Sequence, residues 1–150
     1  MAYDVVIKNG TVVDGTRGTP YRADVAIQGD RIAEIGKITE SAKRILDAEG
    51  QFVTPGFVDI HTHLDAQIFW DPIASSSCWH GVTSVVMGNC GVTFAPCKPQ
   101  DREYFAHLME SVEDIPAATI MAGMPWQWET YGEYLQALDA RPKGLNVGGL

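Results

Sequence analysis

Histidine is scarce in this chain: four occur in 150 residues, at His61, His63, His80 and His107. Cysteine is scarcer, with Cys78, Cys90 and Cys97 forming an odd set that has no CxxC-type pairing. That pattern argues against a disulfide framework and for reduced thiols. Positive charge is also short. Eleven Lys and Arg face nineteen Asp and Glu, for a formal net charge of −8, and the basic residues do not cluster. A nucleic-acid partner is excluded on those grounds. No apolar run approaches the roughly 18 residues of a bilayer span. The opening MAYDVVIKNG lacks the basic segment and apolar run of a secretory signal. The expectation is a soluble cytoplasmic protein with no membrane partner.

What is present is the make-up of a globular protein, 45% apolar and 20% charged. The length suits one ordinary domain, or a small domain followed by part of a larger one. Residues 1–55 read as short strands. YDVVIKNGTVVD suggests a hairpin about Asn9-Gly10, RADVAIQGDRIAEIG a second about Gly29-Asp30, and KRILDAEGQFVTPG a third about Glu49-Gly50. Polar–apolar alternation through all three predicts a small β-sandwich-type subdomain. So short a segment buries little surface by itself.

Pro55-Gly56 marks a change of pattern. In GFVDIH the apolar residues Phe57, Val58 and Ile60 do not alternate, as in a strand covered on both faces. A short helix in PIASSSCWHG, ending at Gly81, leads to a second buried strand, VTSVVMG. A loop and a helix near residues 100–113 follow, with Tyr104, Leu108, Met109 and Val112 expected on its inward face. IPAATIMAG reads as a helical turn and WETYGEYLQALDARP as a helix burying Tyr131, Tyr134, Leu135 and Leu138; KGLNVGGL begins a third strand. Strands alternating with helices predict an α/β class with a parallel sheet over residues 56–150. Three parallel strands leave raw edges, so the chain reads as the front part of something larger.

His61 and His63 share a strand face, because residues two apart point the same way, and they lie roughly 6–7 Å apart along the strand. Both imidazoles can converge on one ion at the C-terminal end of a parallel strand, where α/β active sites lie. Asp59 faces the same side and is a candidate to orient an imidazole or to supply a carboxylate near the metal. Cys90 follows the second strand in VVMGNCGV, the equivalent place one unit later, and Gly88, Asn89 and Gly91 let the backbone turn there. A thiolate beside two imidazoles is a suitable zinc donor set. Cys78 and Cys97 sit at no strand end and read as buried structural cysteines, while His80 and His107 sit in helical stretches and read as structural or solvated. Asp65 fits either a polar pocket floor or a solvated loop. Trp126 and Trp128, with Phe69 and Trp70, fit either an apolar acyl pocket or loop packing.

GTVVDGTR, VTPGFVDIHTHLDAQIFWDP, WHGVTSVVMGNCGVTFAPC and MPWQWETYGEYL together resemble the N-acyl-D-amino-acid deacylase (D-aminoacylase) family of the amidohydrolase superfamily. GNCGV at this distance behind HxH is the sharpest element. A cysteine there stands in for the carboxylated lysine of hydantoinases and dihydroorotases. The resemblance implies the start of a (β/α)₈ TIM-like barrel after a small β-sandwich subdomain, both incomplete in residues 1–150. His61, His63 and Cys90 match the family's zinc ligands, for one or two Zn²⁺ ions. Two later histidines, the catalytic aspartate and the groups gripping the substrate carboxylate have no counterpart here. No residue of this chain is therefore assigned acid or base work, and substrate-binding residues are unassigned. The implied reaction is zinc-dependent hydrolysis of an N-acyl-D-amino acid to a D-amino acid and a carboxylate. The remainder of the same polypeptide, or a companion chain, would complete the barrel. Alternatives are a cyclic amidase of the hydantoinase type, which needs a bridging lysine, and a non-catalytic metal-binding fragment.

Overall fold

The structure is a computed structural model that describes residues 3–150. It divides into two compact units, Met1–Pro55 and Gly56–Leu150. The described part of the first unit is a five-stranded sheet. Its strands are β1 (Tyr3–Val12), β2 (Tyr21–Gln28), β3 (Arg31–Gly36), β4 (Ala42–Asp47) and β5 (Phe52–Val53), ordered β3-β2-β1-β4, with β5 also on β1. The Gly29-Asp30 hairpin is present, joining β2 to β3 with Gly29 at φ 60°.

The other two hairpins are not. β1 runs through Asn9-Gly10 as one strand with a register shift between Ile7 and Gly10. Asn9 takes φ 60° but Gly10 does not go positive, and a single left-handed residue makes a bulge where a two-residue reversal needs two. Gly10 is required here because a Cβ would run into the Val53 side chain. Around Glu49-Gly50 the chain does turn, with Gly50 at φ 75°. β4 and β5 nevertheless both pair parallel with β1, one after the other along the same edge, and not with each other. The bulge is held by Asp24. Its carboxylate accepts from the Asn9 backbone N–H (2.9 Å), from Lys8 Nζ (2.9 Å) and from the Ile38 N–H (3.1 Å). The core is small: Val6, Ala26 and Ile38, with Tyr3 and Ala42 against them.

The second unit carries a three-stranded parallel sheet, β6 (Phe57–Thr62), β7 (Val82–Met87) and β8 (Asn146–Gly149), in that order. Between β6 and β7 lies α1 (Ser75–Cys78). Between β7 and β8 lie α2 (Arg102–Glu113), α3 (Ala117–Gly123) and α4 (Tyr131–Asp139). Thr130 and Glu133 start α4 with a reciprocal capping box. One core joins Val85 and Met87 of β7 to Phe94, Met109, Ile120, Trp128, Tyr134 and Leu138. Phe69 stacks on Trp128 at 5.1 Å between centroids, Tyr134 meets Trp128 edge-on at 4.9 Å, and the indole N–H of Trp128 donates to the Phe94 carbonyl (2.8 Å). Trp128 and Phe69 are therefore packed into the core, and the loop-packing reading holds for them.

Three expectations fail, wholly or in part, in this unit. β6 is an edge strand, with Phe57, Val58 and Ile60 exposed, so its apolar run is not covered on both faces. On α2 the inward residues are Phe105, Ala106 and Met109, while Tyr104, Leu108 and Val112 form an exposed stripe. The helix is apolar on two sides, and periodicity alone picked the broader one. On α4, Tyr134 and Leu138 are buried as expected, whereas Leu135 is exposed. No helix among the described residues is long and apolar enough to cross a membrane.

Candidate metal centre

Parallel pairing sets Asp59 opposite Val85 and, past a register shift, Thr62 opposite Met87, so β6 and β7 end side by side. His61 lies at the end of β6 and His63 just beyond it. Thr62, which points the other way, is buried and donates through Oγ1 to the Val86 carbonyl (2.9 Å), fixing the strand end between the two imidazoles. Beyond β7 the chain turns through Gly88-Asn89-Cys90-Gly91, closed by the Gly91 N–H on the Gly88 carbonyl (3.0 Å). Gly88 and Gly91 take φ 75° and 80°, which a side chain would resist. Asn89 Nδ2 donates to the Ile60 carbonyl (2.7 Å), tying this turn to β6. Cys90 is thereby delivered to the histidines.

One donor atom each from His61, His63 and Cys90 lies within 4.8 Å of the others. Cys90 Sγ is 3.7 Å from His63 Nδ1, and the two imidazole centroids are 5.6 Å apart. Ligand bonds of about 2.0–2.3 Å at tetrahedral angles put donor atoms about 3.3–3.6 Å apart, so closing on one ion takes shifts of about 1 Å or less. Two imidazoles and a thiol that share so small a volume fit a zinc-type ion in donor chemistry and spacing. Asp59 does not orient an imidazole; its Oδ1 accepts from the His61 backbone N–H (3.1 Å). Cys78, Cys97, His80 and His107 lie outside the cluster.

Beneath the cluster is a set of buried polar groups. Asp65 is 1% exposed, so it is no solvated loop residue. Its Oδ1 accepts from Thr93 Oγ1 (2.7 Å), its backbone carbonyl accepts from Tyr134 OH (3.0 Å), and its Oδ2 has no partner. Burial raises the Asp65 carboxyl above the usual range despite the Thr93 bond. Sequence reasoning missed Glu113, the last residue of α2. Its Oε1 sits 3.7 Å from His63 Nδ1, buried and without a hydrogen-bond partner. Burial first, and the neighbouring Asp65 second, push its carboxyl up to about 7. One signal was available: a glutamate at a helix C-terminus opposes the helix dipole.

A model of the amidohydrolase family matches residues 44–147. The chain belongs to the amidohydrolase family. It is 48% identical over 148 residues to an N-acyl-D-glutamate deacylase of Alcaligenes xylosoxydans xylosoxydans, covering 98% of this chain and 28% of that protein. The zinc and phosphonate-inhibitor complex of the N-acyl-D-glutamate deacylase of Bordetella bronchiseptica superposes with a TM-score of 0.80 at 32% identity, over 100% of this chain and 29% of that one. A D-aminoacylase with a binuclear metal centre superposes with a TM-score of 0.75 at 32% identity, over 99% and 29%. This amidohydrolase chain thus spans under a third of the length of the relatives it matches.

Proposed function

We propose that residues 1–150 form the front of a zinc-dependent amidohydrolase that cleaves N-acyl-D-amino acids to a D-amino acid and a carboxylate. The observation that carries this reading is the meeting of His61, His63 and Cys90 at the ends of two paired parallel strands. In this reading residues 56–150 supply the first strands and helices of a (β/α)₈ barrel, and residues 1–55 supply part of a small β-sandwich. Further polypeptide, in the same chain or a companion, supplies the remaining ligands and the acid–base group.

When bound, a zinc ion supplies a Lewis acid that polarises the amide carbonyl and acidifies water. The chain's own contribution is placement. β6 aims His61 and His63 to one side, the glycine turn and Asn89 bring Cys90 to them, and Thr62 locks the strand end. The cyclic-amide alternative needs a lysine at a strand end near this cluster. Lys98 lies eleven residues beyond β7, and Lys143 precedes β8 and donates to the Leu138 and Arg141 carbonyls. Neither is placed for that role.

The test is hydrolysis of N-acetyl-D- and N-acetyl-L-amino acids, N-acetyl-D-glutamate among them, by the full-length polypeptide with added zinc. Turnover confined to D substrates, abolished by chelation, is the expected result; residues 1–150 alone should be inactive. Cleavage of hydantoins without cleavage of any N-acyl amino acid would overturn the reading.

A further inference from the structure

Glu113 stands in a place that local physics disfavours. It is the C-terminal residue of α2, where the helix dipole repels a carboxylate. Its side chain is 7% exposed, and its Oε1 finds no hydrogen-bond donor among the described residues. An unsatisfied buried acceptor is a cost to the folded state. His63 Nδ1 lies 3.7 Å from Oε1.

Resting on the metal-centre reading above, we propose that Glu113 is the positioning residue of His63: it accepts the imidazole Nδ1–H and leaves Nε2 to the ion. In the metal-free site Nδ1 lies equally close, 3.7 Å, to Cys90 Sγ and to Glu113 Oε1. When the thiolate turns to an ion, Nδ1–H is left to the carboxylate. That bond fixes the tautomer and the ring orientation and makes Nε2 a better donor, as carboxylate–histidine pairs do at metal sites. This explains why an acid sits at a helix terminus that favours a base.

The experiment is Co²⁺ titration of the full-length polypeptide, read by visible absorption and by competition with a chelator, with urea unfolding of the metal-free protein alongside. Glu113→Leu matches the volume and removes the acceptor; Glu113→Gln keeps a carbonyl oxygen. The expected result is a loss of about 10–100-fold in Co²⁺ affinity for Glu113→Leu and recovery of most of it in Glu113→Gln. The metal-free stability of Glu113→Leu should be unchanged or higher, since an unsatisfied acceptor is gone. In a His63→Ala background Glu113→Leu should cost nothing further. Wild-type Co²⁺ affinity in Glu113→Leu, or a loss that persists without His63, would overturn the assignment. If Cys90→Ala and His61→Ala also bind Co²⁺ like the wild type, the metal-centre reading itself is what fails.

Discussion

The two cysteines that follow β7 give opposite answers to the same substitution. Cys90 is exposed, and its sulfur lies 3.7 Å from His63 Nδ1 and 3.9 Å from the Val92 carbonyl. Removing it leaves the metal-free fold within about 0.5 kcal/mol of the wild type, as at other surface positions. Cys97 is 2% exposed, and its Cys97→Ala change deletes one buried methyl-sized group, costing about 1 kcal/mol. Zinc reverses the ranking. With free zinc at about 100 times the dissociation constant, binding stabilises the folded state by about 2.7 kcal/mol. A hundredfold weaker site at the same zinc concentration retains only about 0.4 kcal/mol of that. Cys90→Ala should therefore lose nearly all of the zinc-dependent gain, and Cys97→Ala should keep it. Urea unfolding with and without zinc, and zinc content after dialysis, measure both. A full zinc response in Cys90→Ala together with a lost one in Cys97→Ala would refute the ligand assignment.

Three further expectations concern the scaffold. Burial pushes the Asp24 carboxyl up, but Lys8 and the N–H groups of Asn9 and Ile38 outweigh it and hold the pKa below the usual range. Its contribution is present above the ordinary carboxylate range and is lost as pH falls through the lowered value, so Asp24→Asn should cost about 1.5–3 kcal/mol at pH 7 and much less near pH 2 in urea unfolding. Thr130→Ala removes the capping box of α4 and should cost about 1 kcal/mol in the same assay. Trp128→Ala empties the aromatic stack and leaves the Phe94 carbonyl unpaired, for about 3–5 kcal/mol; a loss below 1 kcal/mol would contradict its place in the core.

Local signals carried much of the architecture. Strand and helix positions in the second unit followed from apolar runs and glycine punctuation, and the spacing of His61, His63 and Cys90 followed from strand periodicity. What failed depended on partners distant in sequence. Asn9-Gly10 makes a bulge because Asp24 and Val53 hold β1 straight on either side, and neither is visible from the dipeptide. The Glu49-Gly50 turn forms, but β1 outcompetes β4 as the partner of β5. On α2 two apolar stripes compete, and the choice is made by Phe94, Ile120 and the other residues that α2 packs against. Glu113 was illegible for a related reason. Fifty residues separate it from His63, and only the path of the chain through α2 brings them together.

The cluster also has an order of assembly written into it. His61, His63 and Cys90 all fall within one stretch of about 30 residues, from the end of β6 through α1 and β7 to the turn that follows it. Closing a loop of that length costs about 3 kcal/mol beyond a constant, and the cost grows only with the logarithm of length. Three donors can therefore gather as soon as this segment leaves the ribosome, without waiting for α2, α4 or β8. An ion captured by them would staple β6 to the turn after β7, and later strands would then add to an edge already fixed. Glu113, arriving with α2, comes second. The ion would be a folding template before it is a cofactor.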